Sequence, residues 1–222
     1  MRRWPPDEES LAAVVVEYLT ADQWDVYQEV QSSRAGDVAD IVAVSGPVTM
    51  VVEAKTALSW RLLEQAERWR GRAHRIAVAT PHSRHSTFVH GCLARSGIGW
   101  LAVPEPITGQ QPIWYADPPL HRIRPAWCIR KALRPEHKIW GAAGNAASER
   151  YTPFKKTCRA VLEAVLSRPG ITMKEMMSTV EHHYSSDATA RSSIAQWARA
   201  GKIPGVTVRA EGGKLRLFPE PV

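Results

Sequence analysis

A chain of 222 residues that is 44% hydrophobic and 23% charged has room for one large or two modest cores and is too apolar to stay disordered. No apolar run approaches the ~18 residues of a membrane span, and the opening MRRWPPDEES has no apolar stretch behind its arginines, so neither a membrane span nor a signal peptide is expected. The net charge of +7 is uneven: residues 1–105 hold 11 Lys/Arg against 13 Asp/Glu and residues 106–222 hold 18 against 9, which makes the second half the expected polyanion binder.

Cys92, Cys128 and Cys158 are odd in number and lack C-x-x-C spacing, which supports neither a disulfide framework nor a zinc ribbon. A reducing cytoplasm is the expected home.

After Pro5-Pro6, the cluster Asp7-Glu8-Glu9-Ser10 reads as a helix start. Leu11 to Thr20 continues it, with Leu11, Val14, Val15, Tyr18 and Leu19 on a core-facing stripe and Glu17 on its border. Taken alone, Glu17 is a solvated rim residue. Trp24 to Gln31 alternates as a strand should, with Trp24, Val26, Gln28 and Val30 on one face and Asp25, Tyr27, Glu29 and Gln31 on the other.

Gly36 to Lys55 is the densest signal in the chain. Two Val/Ile-rich runs, Val38–Ser45 and Val48–Lys55, flank Gly46-Pro47 and predict a tight antiparallel hairpin. Strand alternation puts Val51, Glu53 and Lys55 on one face. A turn centred on Gly46 opposes residues whose numbers sum to about 92 or 93, which sets Asp40 against Glu53. Like charges facing each other across a ladder are destabilising, and a divalent cation would remove the penalty.

Ser59–Arg72 predicts a helix with a basic outer face, Leu62, Leu63, Ala66 and Trp69 at helical spacing, and Gln65 placed to line a cleft beside the hairpin. Arg75–Thr80 predicts a buried strand, Ser83–Arg95 a helix and Ile98–Val103 a strand. The expected first domain, residues 1–105, is an α/β layer with a mixed sheet flanked by helices, the hairpin feeding a right-handed crossover to a parallel strand. His82, His85 and His90 are close in sequence but lack the Cys partners of a structural zinc site.

Residues 106–152 lose periodicity and read as a Pro-rich linker wrapping on the first domain, with short strands around Trp114 and Trp127. Residues 153–222 regain a pattern: helices over Phe154–Ser167, from Ile171-Thr172 to about Tyr184, and from Asp187, then two alternating strands around Glu211-Gly212-Gly213. Thr172 with Glu175 forms a capping-box sequence. Three helices followed by a β-hairpin resembles a winged helix, whose third helix enters the major groove while the wing meets the backbone. On that resemblance Arg191, Ser193, Gln196, Arg209, Lys214 and Arg216 are the expected DNA contacts. A winged helix used for protein docking is the duller alternative.

Glu17 on the first helix, Asp40 opening the second strand and Glu53-Ala54-Lys55 closing the third resemble the PD-(D/E)XK, or restriction-endonuclease-like, nuclease superfamily over residues 10–105. Ala39 stands where the named proline would. Gln65 and Trp69 resemble the Q-x-x-x-Y motif of its RecB-like branch, with Trp for Tyr. The resemblance implies a Mg²⁺- or Mn²⁺-dependent deoxyribonuclease that hydrolyses phosphodiester bonds to leave a 5'-phosphate. It implies catalytic roles for Glu17, Asp40, Glu53, Lys55 and Gln65, and metal ligation by Asp40, Glu53 and the Ala54 carbonyl, with Glu17 at a second ion or its water shell.

DNA is then the expected partner, with no membrane. The domain order resembles the endonuclease subunit of heteromeric cut-and-paste transposases, which suggests a mobile-element or phage complex with a protein partner. That subunit has Gln where Glu53 stands. Restriction and junction-resolving enzymes share the core, and a homodimer is compatible with it. The competing reading is a catalytically silent DNA-binding or assembly protein on the same fold. A transcription regulator built on the winged helix alone leaves the first 105 residues unexplained.

Overall fold

The computed structural model describes residues 4, 7–32, 36–82, 87–138, 143–144 and 151–220. The chain divides into two compact units, Met1–Tyr151 and Thr152–Val222.

The first unit is mixed α/β. Helix α1 (Glu8–Ala21) begins where the Asp7 side chain accepts the Ser10 N–H at 2.7 Å. Strands β1 (Asp25–Gln31), β2 (Val38–Ser45) and β3 (Val48–Ala54) follow, then helix α2 (Trp60–Glu67), strand β4 (Arg75–Pro81), helix α3 (Thr87–Ser96), and strands β5 (Gly99–Val103) and β6 (Ile113–Ala116). The sheet runs in chain order from β1 to β6. β1, β2 and β3 pair antiparallel, β3, β4 and β5 parallel, and β6 antiparallel to β5.

Each face of the sheet carries a core, because the strands alternate between two apolar sets. On one face Leu11, Val15 and Leu19 of α1 pack on Ile41, Met50, Val52 and Ala77. On the other Leu62, Ala66 and Trp69 meet Val42, Val51, Ile76 and Trp100. Gly46 turns the β2–β3 hairpin at φ 52°, a left-handed conformation that glycine adopts freely.

Residues 106–138 pack on this same unit. Trp114 lies in β6, whereas Trp127 lies in a 3-10 turn and not in a strand. The reason is visible in the hydrogen bonds. The Arg124 and Ile129 N–H groups donate to the Gly71 and Arg72 carbonyls, and Arg130 Nη1 donates to Gly46 O at 2.6 Å. The segment is pinned to loops instead of pairing with a strand. His82 and His90 both lie against Tyr115.

The second unit comprises α4 (Pro153–Ser167), β7 (Ile171–Thr172), α5 (Met173–Met177), α6 (Asp187–Arg199), β8 (Val206–Glu211) and β9 (Lys214–Pro219), with β9 central in its three-stranded sheet. The Thr172–Glu175 capping box is present. The helix it opens is far shorter than the pattern to Tyr184 predicts. Ser178 Oγ and Thr179 Oγ1 both donate to the Glu175 carbonyl, side-chain bonds that compete with helix continuation. Among the described residues no helix is long and apolar enough to cross a membrane.

Candidate functional site

Where β3 leaves the sheet, its last residues stop being purely apolar. The β2–β3 register pairs Ile41 with Val52, and one further step brings Asp40 beside Glu53. Asp40 Oδ2 accepts the Ala54 N–H at 2.9 Å. Glu53 is 2% exposed and takes a 2.6 Å hydrogen bond on Oε1 from Trp69 Nε1. Burial raises the Asp40 carboxyl above its usual range, opposed by the Ala54 N–H and the Lys55 charge. Burial and then the Asp40 charge push Glu53 well above its usual range, against the pull of Trp69.

Lys55 completes the strand end. Its Nζ lies 2.5 Å from Glu8 Oε2. Burial disfavours its charge, but the Glu8 hydrogen bond and the charges of Asp40, Glu8 and Glu53 outweigh that and raise its pKa. Gln65, on the helix that returns from the hairpin, directs a buried Oε1 with no hydrogen-bond partner among the described residues. These groups line one polar cleft of about 370 Å³, together with Glu29, Gly36, Asp37, Val38, Arg68, Trp69 and Gly144.

Asp40, Glu53, Lys55 and Gln65 are thus brought together, and Glu17 is not. It is exposed and lines a separate depression with Val14, Tyr18 and Pro106–Pro112 residues. Helical geometry explains the exchange. Glu8, Ala12, Val15 and Leu19 follow i, i+4, i+7, i+11 spacing, so the buried stripe of α1 ends in Glu8. Glu17 follows Glu8 by nine positions at about 100° each, which turns it to the opposite side of the helix.

Sequence reasoning also misses Glu29. It is 4% exposed and adopts φ 52°, a left-handed conformation in the middle of β1. The β1–β2 ladder pairs Gln28 with Ile41 and Val30 with Ala39, and skips the step that would join Glu29 to Asp40. Glu29 Oε1 accepts the Gly144 N–H at 3.0 Å across 115 residues. Nothing in a strand pattern announces a non-glycine residue at positive φ; such strain concentrates at working sites.

A buried Glu53 beside a half-buried Asp40, both with raised pKa values, is a donor set that fits a hard cation such as Mg²⁺, which needs only one or two carboxylates and keeps several waters. Among the described residues no three His, Cys, Asp or Glu side chains gather into a metal cage. The fit therefore rests on Asp40 and Glu53, with main-chain oxygen and water for the remainder. Ala54 is fully buried, and its N–H is spent on Asp40.

In the second unit Arg191 and Gln196 are exposed on α6, and Ser193 is half-buried. Arg209 is exposed with its guanidinium 5.3 Å from the Phe218 ring centre. Lys214 is exposed beside the Gly212-Gly213 turn. Arg216 differs: its Nη1 donates to Gly170 O at 2.7 Å, so this side chain is occupied inside the unit.

Comparison with protein-family models, with curated proteins and with solved structures finds no match.

Proposed function

We propose that the protein is a divalent-metal-dependent DNA endonuclease of the PD-(D/E)XK type whose second unit is a winged helix that brings it to DNA. The observation that carries this reading is the pair of buried Glu53 and half-buried Asp40, set side by side in the lining of a polar cleft with Lys55 next to them. A structural hairpin gains nothing from two opposed carboxylates.

Asp40, Glu53 and the Ala54 carbonyl would hold the cation, which when bound supplies charge stabilisation for a phosphoryl group and a water of lowered pKa. Lys55 stays protonated on its Glu8 partner and places a positive charge where the phosphodiester gathers negative charge. Trp69 holds one oxygen of Glu53 and leaves the carboxylate oriented toward the cleft. Gln65, whose buried oxygen has no partner among the described residues, can accept a hydrogen bond from water or substrate.

The order of elements in the second unit, three helices and a β-hairpin with a third strand from β7, supports the winged-helix reading. So do the exposed Arg191 and Gln196 on α6.

Incubation with supercoiled, linear, single-stranded and branched DNA in Mg²⁺ or Mn²⁺ tests the activity. Asp40→Ala and Lys55→Ala should each abolish cleavage and leave DNA binding intact. Cleavage that survives both changes removes the assignment. Binding without cleavage in the unaltered protein leaves the catalytically silent DNA-binding or assembly protein.

A further inference from the structure

The cleft has an electrostatic difficulty for any polyanion. Five carboxylates line it, Glu8, Glu29, Asp37, Asp40 and Glu53, against two cations, Lys55 and Arg68. Lys55 is already paired with Glu8. A phosphodiester chain needs more positive charge along its approach than the floor of the cleft provides.

Helix α2 adds Arg61 to the Arg68 already counted. Leu62 and Ala66 are its buried residues, with Trp69 in the turn that follows, and the neighbouring stripe is Arg61 and Gln65, continued by Arg68 at the C-cap, at i, i+4 and i+7. Gln65 and Arg68 line the cleft, which fixes the direction this stripe faces. Arg61 is exposed and has no hydrogen bond or ion pair with any described residue. The Arg68 side chain is 57% exposed, and its Nη1 lies 3.6 Å from Asp37 Oδ1. The other oxygen of Asp37 is held at 2.9 Å by Arg72, whose side chain is only 18% exposed. Arg72 neutralises Asp37, and Arg68 is the surplus charge. Its loose contact leaves the guanidinium able to turn to a ligand.

We infer that the Arg61–Arg68 edge of α2 is a phosphate track, holding consecutive backbone phosphates of the nucleic-acid strand that enters the cleft. This inference rests on the nuclease reading for the identity of the strand. The forked guanidinium suits bidentate phosphate contact, and the spacing of one to two helical turns suits successive phosphates more than a single anion. The contacts are to backbone, so they add affinity without sequence preference.

The test uses the whole protein and a fluorescein-labelled duplex oligonucleotide in Ca²⁺, with affinity measured from about 50 to 200 mM salt. Arg61→Ala/Arg68→Ala together should weaken binding about tenfold and lower the log–log salt slope by about 2. Arg61→Lys/Arg68→Lys should keep the slope, and Arg95→Ala, on the groove between α2 and α3, should change nothing. An unchanged slope in the double alanine variant overturns the phosphate track, even if the protein cleaves DNA. A slope lowered by about 2 in a protein that never cleaves sustains the track and removes the nuclease reading.

Discussion

Trp69 Nε1 donates a 2.6 Å hydrogen bond to Oε1 of Glu53, so the turn that follows α2 grips the carboxylate at the exit of the hairpin. Trp can only donate, and the bond favours the charged form of a carboxyl that burial is driving toward neutrality. Trp69→Phe keeps most of the buried ring and removes the donor. Glu53 should then titrate higher still, moving the acidic limb of the cleavage profile to higher pH. Stability should fall by about 1–3 kcal/mol, measured by urea unfolding.

Glu53 also makes a stability prediction of definite sign. Its folded pKa lies above the ordinary 4.5, so the folded state binds more protons than the unfolded state. Stability is therefore lost as pH rises from that value through the folded pKa. Glu53→Gln removes the loss. In EDTA the variant should match the parent at the acid end of this window and exceed it by about 1 kcal/mol above the folded pKa. Mg²⁺ should reverse the order, stabilising the parent by about 2.7 kcal/mol at a hundredfold excess over Kd and leaving the variant unmoved. Thermal melts with and without the ion measure both.

The two glutamates of α1 should separate cleanly. Glu8→Ala removes the largest influence raising the Lys55 pKa, and cleavage should fall at least tenfold, with its basic limb moving to lower pH. Glu17→Ala touches an exposed position on the other side of the helix and should leave rate and stability within about 0.5 kcal/mol.

In the second unit, Arg191→Ala should weaken DNA binding and lower the salt slope by about 1 with no change in melting temperature. Arg216→Ala should do the reverse. It deletes the 2.7 Å bond to Gly170 O and should cost about 1–2 kcal/mol in stability, with little effect on the salt slope.

Much of the site geometry is legible in the sequence because it is local. Gly46-Pro47 between two apolar runs sets the hairpin register, and register alone sets Asp40 beside Glu53. The Leu62–Ala66–Trp69 spacing turns Trp69 inward, onto Glu53. What is not legible depends on distant chain. The choice of Glu8 over Glu17 turns on where the α1 stripe meets the end of the sheet. The left-handed Glu29 has no pattern at all, since it is stabilised partly by a main-chain donor from Gly144. The 3-10 turns over residues 125–138 follow from hydrogen bonds to the loop at 71–72 and to Gly46, partners that no window of neighbouring residues contains.

That contact between Glu29 and Gly144 bears on the order in which the molecule is made. Asp40 and Glu53 sit on strands joined by a two-residue turn, so closing that loop costs little entropy and the pair belongs to the early, local part of folding. The wall formed by Gly144 joins only after 115 residues of intervening chain have been placed, and its φ of 81° with Glu8 main-chain atoms 2.8 Å from where a Cβ would stand admits only glycine. On a ribosome the acidic pair would be assembled long before its enclosing wall was synthesised. On that order the Gly144 side of the cleft closes only when the chain is nearly two-thirds made.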